Sequence, residues 1–204
     1  MRRVWPGQAA ISPGVSVDTG PSIYGKRIAL LHEMCPTMSK LAFLTMRIAW
    51  EGIQGPAVRA AAETAGIPLI GLPLVFPASE ADYRSAIAEA SREGADAIMI
   101  SDNPDVMRNR ALIPNLVSAA KLPAMYPFLE LVQTGGLMAY AFDLAELNKQ
   151  AANQIDAVLR GANPGEIPFY QASKFELSIN LKTATSLGLR VPDSLLASAD
   201  NVIE

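Results

Sequence analysis

Residues 95–105 of the chain are ADAIMISDNPD. The apolar run Ala97–Ile100 stops abruptly at Ser101, Asp102 and Asn103. Pro104 then blocks further strand, because it has no N–H to place in a ladder. Ser, Asp and Asn often open loops and cap helices, since their side chains accept from nearby backbone N–H groups. The same residue types also suit the carboxyl end of a strand in an open parallel α/β sheet, where ligands bind. Both readings stay open on this stretch alone.

The pattern around it is a repeated strand–helix alternation. A first helix is predicted over Ile23–Met34, ending at Pro36. KLAFLTM (40–46) is a short buried strand, and a helix follows over 56–66, with Pro56 suited to a first turn and Gly66 to a C-cap. IPLIGLPLVF (67–76) is a strand near a sheet edge, because Pro68 and Pro73 cannot donate ladder bonds. Residues 79–94 open with a Ser79…Asp82 capping signature and close on Gly94. After the strand at 95–101 comes a helical segment to Ala120, which Pro114 must kink or restart. LPAMYP is a strand, FLELVQTGG a short helix and GLMAYAF another strand.

A long helix is then expected from Asp143 to Arg160, with the apolar stripe Leu144, Leu147, Ala151, Ile155, Val158 and Leu159. FYQASKFELSIN is a strand or hairpin arm, and the chain ends in a short helix and a capped tail. Residues 1–21, rich in Gly, Pro and Ser, form a loose arm. The alternation implies an α/β fold: a parallel sheet with helices on both faces, joined by right-handed crossovers.

Bulk numbers narrow the function classes. Half of the 204 residues are hydrophobic and 18% are charged, the balance of a packed globular protein. A net charge of -3 gives no electrostatic footprint for nucleic acid. The lone Cys35 excludes an internal disulfide and a cysteine-based zinc site. His32 lies three residues away on the first helix and reads as a surface residue, with Cys35 buried. No apolar run approaches the ~20 residues that a membrane-crossing helix needs. The start, MRRVWPGQAAISPG, has a charged beginning without the apolar stretch of a signal peptide. Dinucleotide, P-loop, nucleophile-elbow and zinc-protease motifs are missing from the sequence, so no metal, no cofactor and no catalytic group is expected.

What remains is a row of strand ends bearing small polar and aromatic residues: Thr45 with Arg47, Phe76, Ser101 with Asp102 and Asn103, Tyr126 with Phe128, and Tyr140 with Phe142. Aromatics with a few convergent polar groups describe a small-molecule cleft. Each aromatic taken alone fits a core position equally well.

Three stretches resemble one family. LPAMYPFLELVQTGGLMAYAFDLAEL (122–147), KFELSINLKTATSLGLRVPDSLLASADNVIE (174–204) and SPGVSVDTGPSIYGKRIALLHE (12–33) look like the substrate-binding proteins of ABC transporters, in the lineage of tryptophan- and tyrosine-type uptake proteins. The resemblance implies a type I periplasmic-binding fold, in which two α/β lobes close on a ligand. It also implies that Asp102 and Asn103 align with a polar pair able to hold the ligand. TMRIAWEG (45–52) departs from the pattern, with Arg47 and Trp50 where small polar groups are expected.

The resemblance further implies that most of the N-terminal lobe is absent. The organisation expected is an arm and inter-lobe helix (1–38), a complete α/β lobe (39–142), a helix of the truncated lobe (143–164), and a returning strand with the tail (165–204). The function implied is non-catalytic binding of a small organic, amino-acid-like solute. Its ligand residues would be Asp102, Asn103, Ser101, Tyr126, Phe76, Tyr140 and Arg47, and its partner a transporter permease. Two alternatives are a small doubly wound α/β enzyme using Asp102 and an interaction module without a ligand. The family resides in the periplasm, whereas a genuine start at Met1 without a signal would leave the chain in the cytoplasm. The stripe on the Asp143–Arg160 helix would lack its usual sheet, so a homodimer covering it is expected.

Overall fold

The computed structural model describes residues 13–16, 22–172 and 174–204, so most of the expected N-terminal arm lies outside the described residues. In chain order the first elements are β1 (Val15–Ser16), α1 (Ser22–Met34), β2 (Leu41–Met46), α2 (Arg47–Glu51), α3 (Gln54–Thr64), β3 (Leu69–Leu74), α4 (Glu80–Arg92) and β4 (Ala97–Ile100). There follow α5 (Pro104–Arg108), α6 (Leu112–Ala119), β5 (Ala124–Tyr126), α7 (Leu129–Gln133), β6 (Met138–Phe142) and α8 (Leu144–Leu159). The last are β7 (Tyr170–Gln171), β8 (Phe175–Asn180), α9 (Leu181–Ser186), α10 (Asp193–Ser198) and β9 (Asn201–Ile203). Contacts divide the chain into one unit of Met1–Thr19 with Phe142–Phe175 and a larger one of Gly20–Ala141 with Glu176–Glu204.

The larger unit is built on a seven-stranded sheet in the order β3-β2-β4-β5-β6-β8-β9. Every neighbouring pair from β3 through to β6 is parallel, and so is β8 with β9. Asn180 N–H donates to the Leu137 carbonyl, which sets the end of β8 against the start of β6, as antiparallel neighbours lie. All residues of β2 and β4 are buried. Strands covered on both faces carry continuous apolar runs instead of alternating ones, which is why LAFLTM and AIMI are so uniformly hydrophobic. Each fully buried Leu, Ile or Phe here contributes about 1.5–3 kcal/mol.

Local chemistry fixes the ends of these elements. Asp96 Oδ2 accepts from the N–H groups of Ser39 and Lys40 and from the Ser39 hydroxyl, tying the amino ends of β2 and β4 together. The capping box at α4 forms as expected: the Ser79 hydroxyl accepts from Asp82 N–H and the Asp82 carboxylate accepts from Ser79 N–H. Gly94, beyond its C-terminus, takes a φ of 74° that an L side chain resists. β3 is the edge strand, with Pro73 in register with Thr45 of β2.

Three expectations need correction. The helical segment to Ala120 is two helices, and the break falls at residues 109–111, ahead of Pro114. Pro114 sits in the first turn of α6, where its missing N–H has no intrahelical partner to lose. FYQASKFELSIN is two strands in two different sheets. The tail holds two helices and a strand, β9, which forms the sheet edge beside β8.

In the smaller unit β1 and β7 pair in parallel as a separate two-stranded sheet. Asp143 caps α8 by accepting from the N–H groups of Ala145 and Glu146. Gln154 donates to the carbonyls of Gly14 and Pro168, pinning the helix to both chain segments. Of the apolar stripe on α8 only Leu147 is buried, while Ile155 and Leu159 are 61% and 80% exposed.

Candidate functional site

Parallel pairing brings the carboxyl ends of β3, β2, β4, β5 and β6 to one edge of the sheet. Arg47, Phe76 and Ser101–Asn103 follow directly on these strands, Tyr126 ends β5, and Tyr140 lies within β6. The residues expected at a ligand site therefore share an edge. Their side chains do different things there.

Asp102 is half-buried and belongs to a hydrogen-bonded chain. The Thr45 hydroxyl, itself buried, donates to Gln54 Oε1 at 3.0 Å. With its oxygen so engaged, the Gln54 amide turns its Nε2 to Asp102 Oδ1 at 3.1 Å. Arg27 of α1 is 1% exposed. Its Nε donates to the Tyr140 carbonyl at 3.0 Å, and its Nη1 has no hydrogen-bond partner. Burial lowers the pKa of the guanidinium, and the electrostatic influence of Asp102, then of Tyr24 and Tyr140, opposes that shift. The edge thus combines an acceptor-only carboxylate with a buried donor-only cation.

Ser101 is buried and its hydroxyl accepts from the Asn103 amide at 2.9 Å. Asn103 Oδ1 accepts from Val106 N–H, making Asn103 the N-cap of α5. Tyr126 is 1% exposed, and its ring packs so closely on Gly136 that a Cβ there would collide with it. Burial alone raises the Tyr126 pKa. Tyr140 is half-buried, Phe128 is buried, and Phe76 is 59% exposed. Arg47 is exposed at the first position of α2. Trp50 packs its ring against Gly71 and carries the Arg59 guanidinium 4.4 Å from its centroid.

Two members of this cluster escaped the sequence reading. Arg27 had a signal, since it interrupts the apolar face of α1 with Ile23 and Leu31 four residues to either side. Gln54 had none: it begins α3 without a motif. His32 is exposed and Cys35 buried, as expected, and burial raises the thiol pKa to about 11. Among the described residues, no group of three or more His, Cys, Asp or Glu could hold a metal ion, and no helix is long and apolar enough to cross a membrane.

Residues 12–203 match the family model described as ABC transporter substrate binding protein. A conserved domain protein from Vibrio cholerae O1 biovar El Tor strain N16961 superposes with a TM-score of 0.79 at 22% identity, over 93% of this chain and 62% of its own. An ABC domain from Streptococcus pneumonia, solved in complex with L-Trp, gives 0.77 at 23% identity, over 88% of this chain and 62% of its own. A LacI family transcriptional regulator from Arthrobacter sp. FB24, in complex with lactose, gives 0.60 at 19% identity, over 86% and 66%. The chain spans 62% of the length of the first two structures. Comparison with curated proteins finds no match.

Proposed function

Because the chain belongs to the family of ABC transporter substrate-binding proteins, we propose that it is a non-catalytic solute-binding component of such a transporter. The solute is a small organic molecule held at the carboxyl edge of the parallel sheet. The observation that carries this reading is the Thr45–Gln54–Asp102 chain, which aims an oriented, half-buried carboxylate at that edge. Asp102 is its primary polar contact. Phe76 and Tyr140 supply aromatic walls, Arg47 stands at the rim, and Ser101, Asn103 and Tyr126 lie behind.

In this reading the protein works outside the cytoplasmic membrane and delivers its solute to a permease. It acts as a homodimer, with a second copy covering the exposed Ile155 and Leu159 of α8. Calorimetry and thermal melts test the binding role. L-Tryptophan is the first probe, since the pneumonia neighbour was solved with it, followed by a panel of amino acids and small sugars. Saturable stabilisation with recovery of unchanged solute is the expected result. Chemical conversion of the probe would instead favour an enzyme using Asp102.

A further inference from the structure

Arg27 is a costly residue where it stands. The buried face of α1 otherwise presents Ile23, Tyr24, Ile28, Leu30, Leu31 and Met34. Leucine or methionine would fill position 27 without desolvating a charge. A guanidinium brings five N–H donors in a fixed fork, and an unpaired donor in the interior is strongly unfavourable. Nε is satisfied by the Tyr140 carbonyl, yet Nη1 is buried with no partner. Asp102, the strand-end carboxylate, is the foremost charge acting in its favour.

We propose that Arg27 is a binding residue of the strand-end site, its Nη1 taking an acceptor oxygen from a solute that offers a donor to Asp102 on a neighbouring atom. This rests on the reading of the chain as a solute-binding protein. Asp102 only accepts and Arg27 only donates. A lone anion would be repelled by Asp102 and a lone cation by Arg27. A group with an acceptor beside a donor, such as an α-amino or α-hydroxy carboxylate, satisfies both, and the α-amino carboxylate does so at no net change of charge. Nη1 is shielded from solvent, so the solute must displace a side chain to reach it.

The full chain is titrated by calorimetry with L-lactate and the common L-amino acids at millimolar concentration. The same measurement is made with their decarboxylated amines and alcohols and with the matching acids that lack the amino or hydroxyl group. The unmodified protein should favour the compounds carrying both groups over those without the acceptor by about 10- to 150-fold, the span of one hydrogen bond to a charged group. Arg27→Met, which removes the guanidinium while keeping an apolar side chain of similar length, should abolish that preference. Arg27→Lys, which keeps the charge but not the fork, should retain part of the preference and serves if the Met variant does not fold. A preference that survives in these variants would remove Arg27 from the site while leaving the solute-binding reading intact. Binding confined to neutral sugars would overturn the ligand class alone. Absence of binding across the acids, amines and sugars would overturn both.

Discussion

The side-chain amide of Gln54 donates to Oδ1 of Asp102 across 3.1 Å, joining two residues 48 positions apart in the chain. The bond decides which way the carboxylate faces, and the Thr45 hydroxyl decides which way the amide faces. Asp102→Ala is expected to weaken an amino-bearing solute by about 1.5–3 kcal/mol, the worth of a hydrogen bond to a charged group. Gln54→Leu, which leaves the charge but frees its orientation, should cost about 0.5–1.5 kcal/mol. Calorimetry on the two variants checks both, and equal affinity in Asp102→Ala would remove that residue from the site.

Asp96 provides a pH dependence with a definite sign. Its hydrogen bonds from the Ser39 hydroxyl and backbone hold its pKa below the ordinary carboxylate value. A depressed folded pKa means that the stabilisation is complete above the unfolded value of ~3.9 and fades as the pH falls through the folded one. Asp96→Asn should therefore melt lower than the parent at neutral pH, and the gap should close in strong acid. A gap independent of pH would mean that the ionised form is not what the β2–β4 clamp needs.

Gly71 lies under the Trp50 ring, and a methyl group at this position would run into the ring carbons. Gly71→Ala is expected to destabilise the protein by about 1–3 kcal/mol, as overpacking does. Urea unfolding followed by tryptophan fluorescence reads the change. An unaltered midpoint would show that the ring moves aside freely.

Ile155 is 61% exposed on α8. A charge there should cost the folded chain little, yet be costly where a second copy covers it. Ile155→Asp is expected to convert a dimer to a monomer in light scattering while the melting temperature of the dilute protein stays within a few degrees. A parent chain that is monomeric at high concentration would sink the homodimer.

Much of the larger unit was legible because buried strands and capped helices write strong local signals. LAFLTM and AIMI are apolar on both faces, Ser79 and Asp82 stand at capping-box spacing, and prolines at 68 and 73 mark an edge. β9 was missed because Asn201–Ile203 is too short to show a period. The aromatic residues could not be sorted in advance: Tyr126 is core and Phe76 is exposed, although both stand at the carboxyl end of a strand. Asn103 illustrates the same limit at a polar position, since the side chain suited to a ligand is equally suited to capping α5. Gln54 reaches Asp102 only through the tertiary fold, and no spacing in the chain announces it.

Leu41 N–H donates to the Pro68 carbonyl, and Leu41 is in register with Leu69. In a parallel ladder this makes Ile70, Leu72 and Leu74 the residues that bond to β2, and it turns the backbone groups of Leu69, Gly71 and Pro73 outward. The rim of the sheet is therefore missing a donor at Pro73, the last position of the row that an incoming strand would have to match. Growth of the sheet by edge-to-edge pairing of copies, the first step toward a fibril, is disfavoured on that side by a single imino acid.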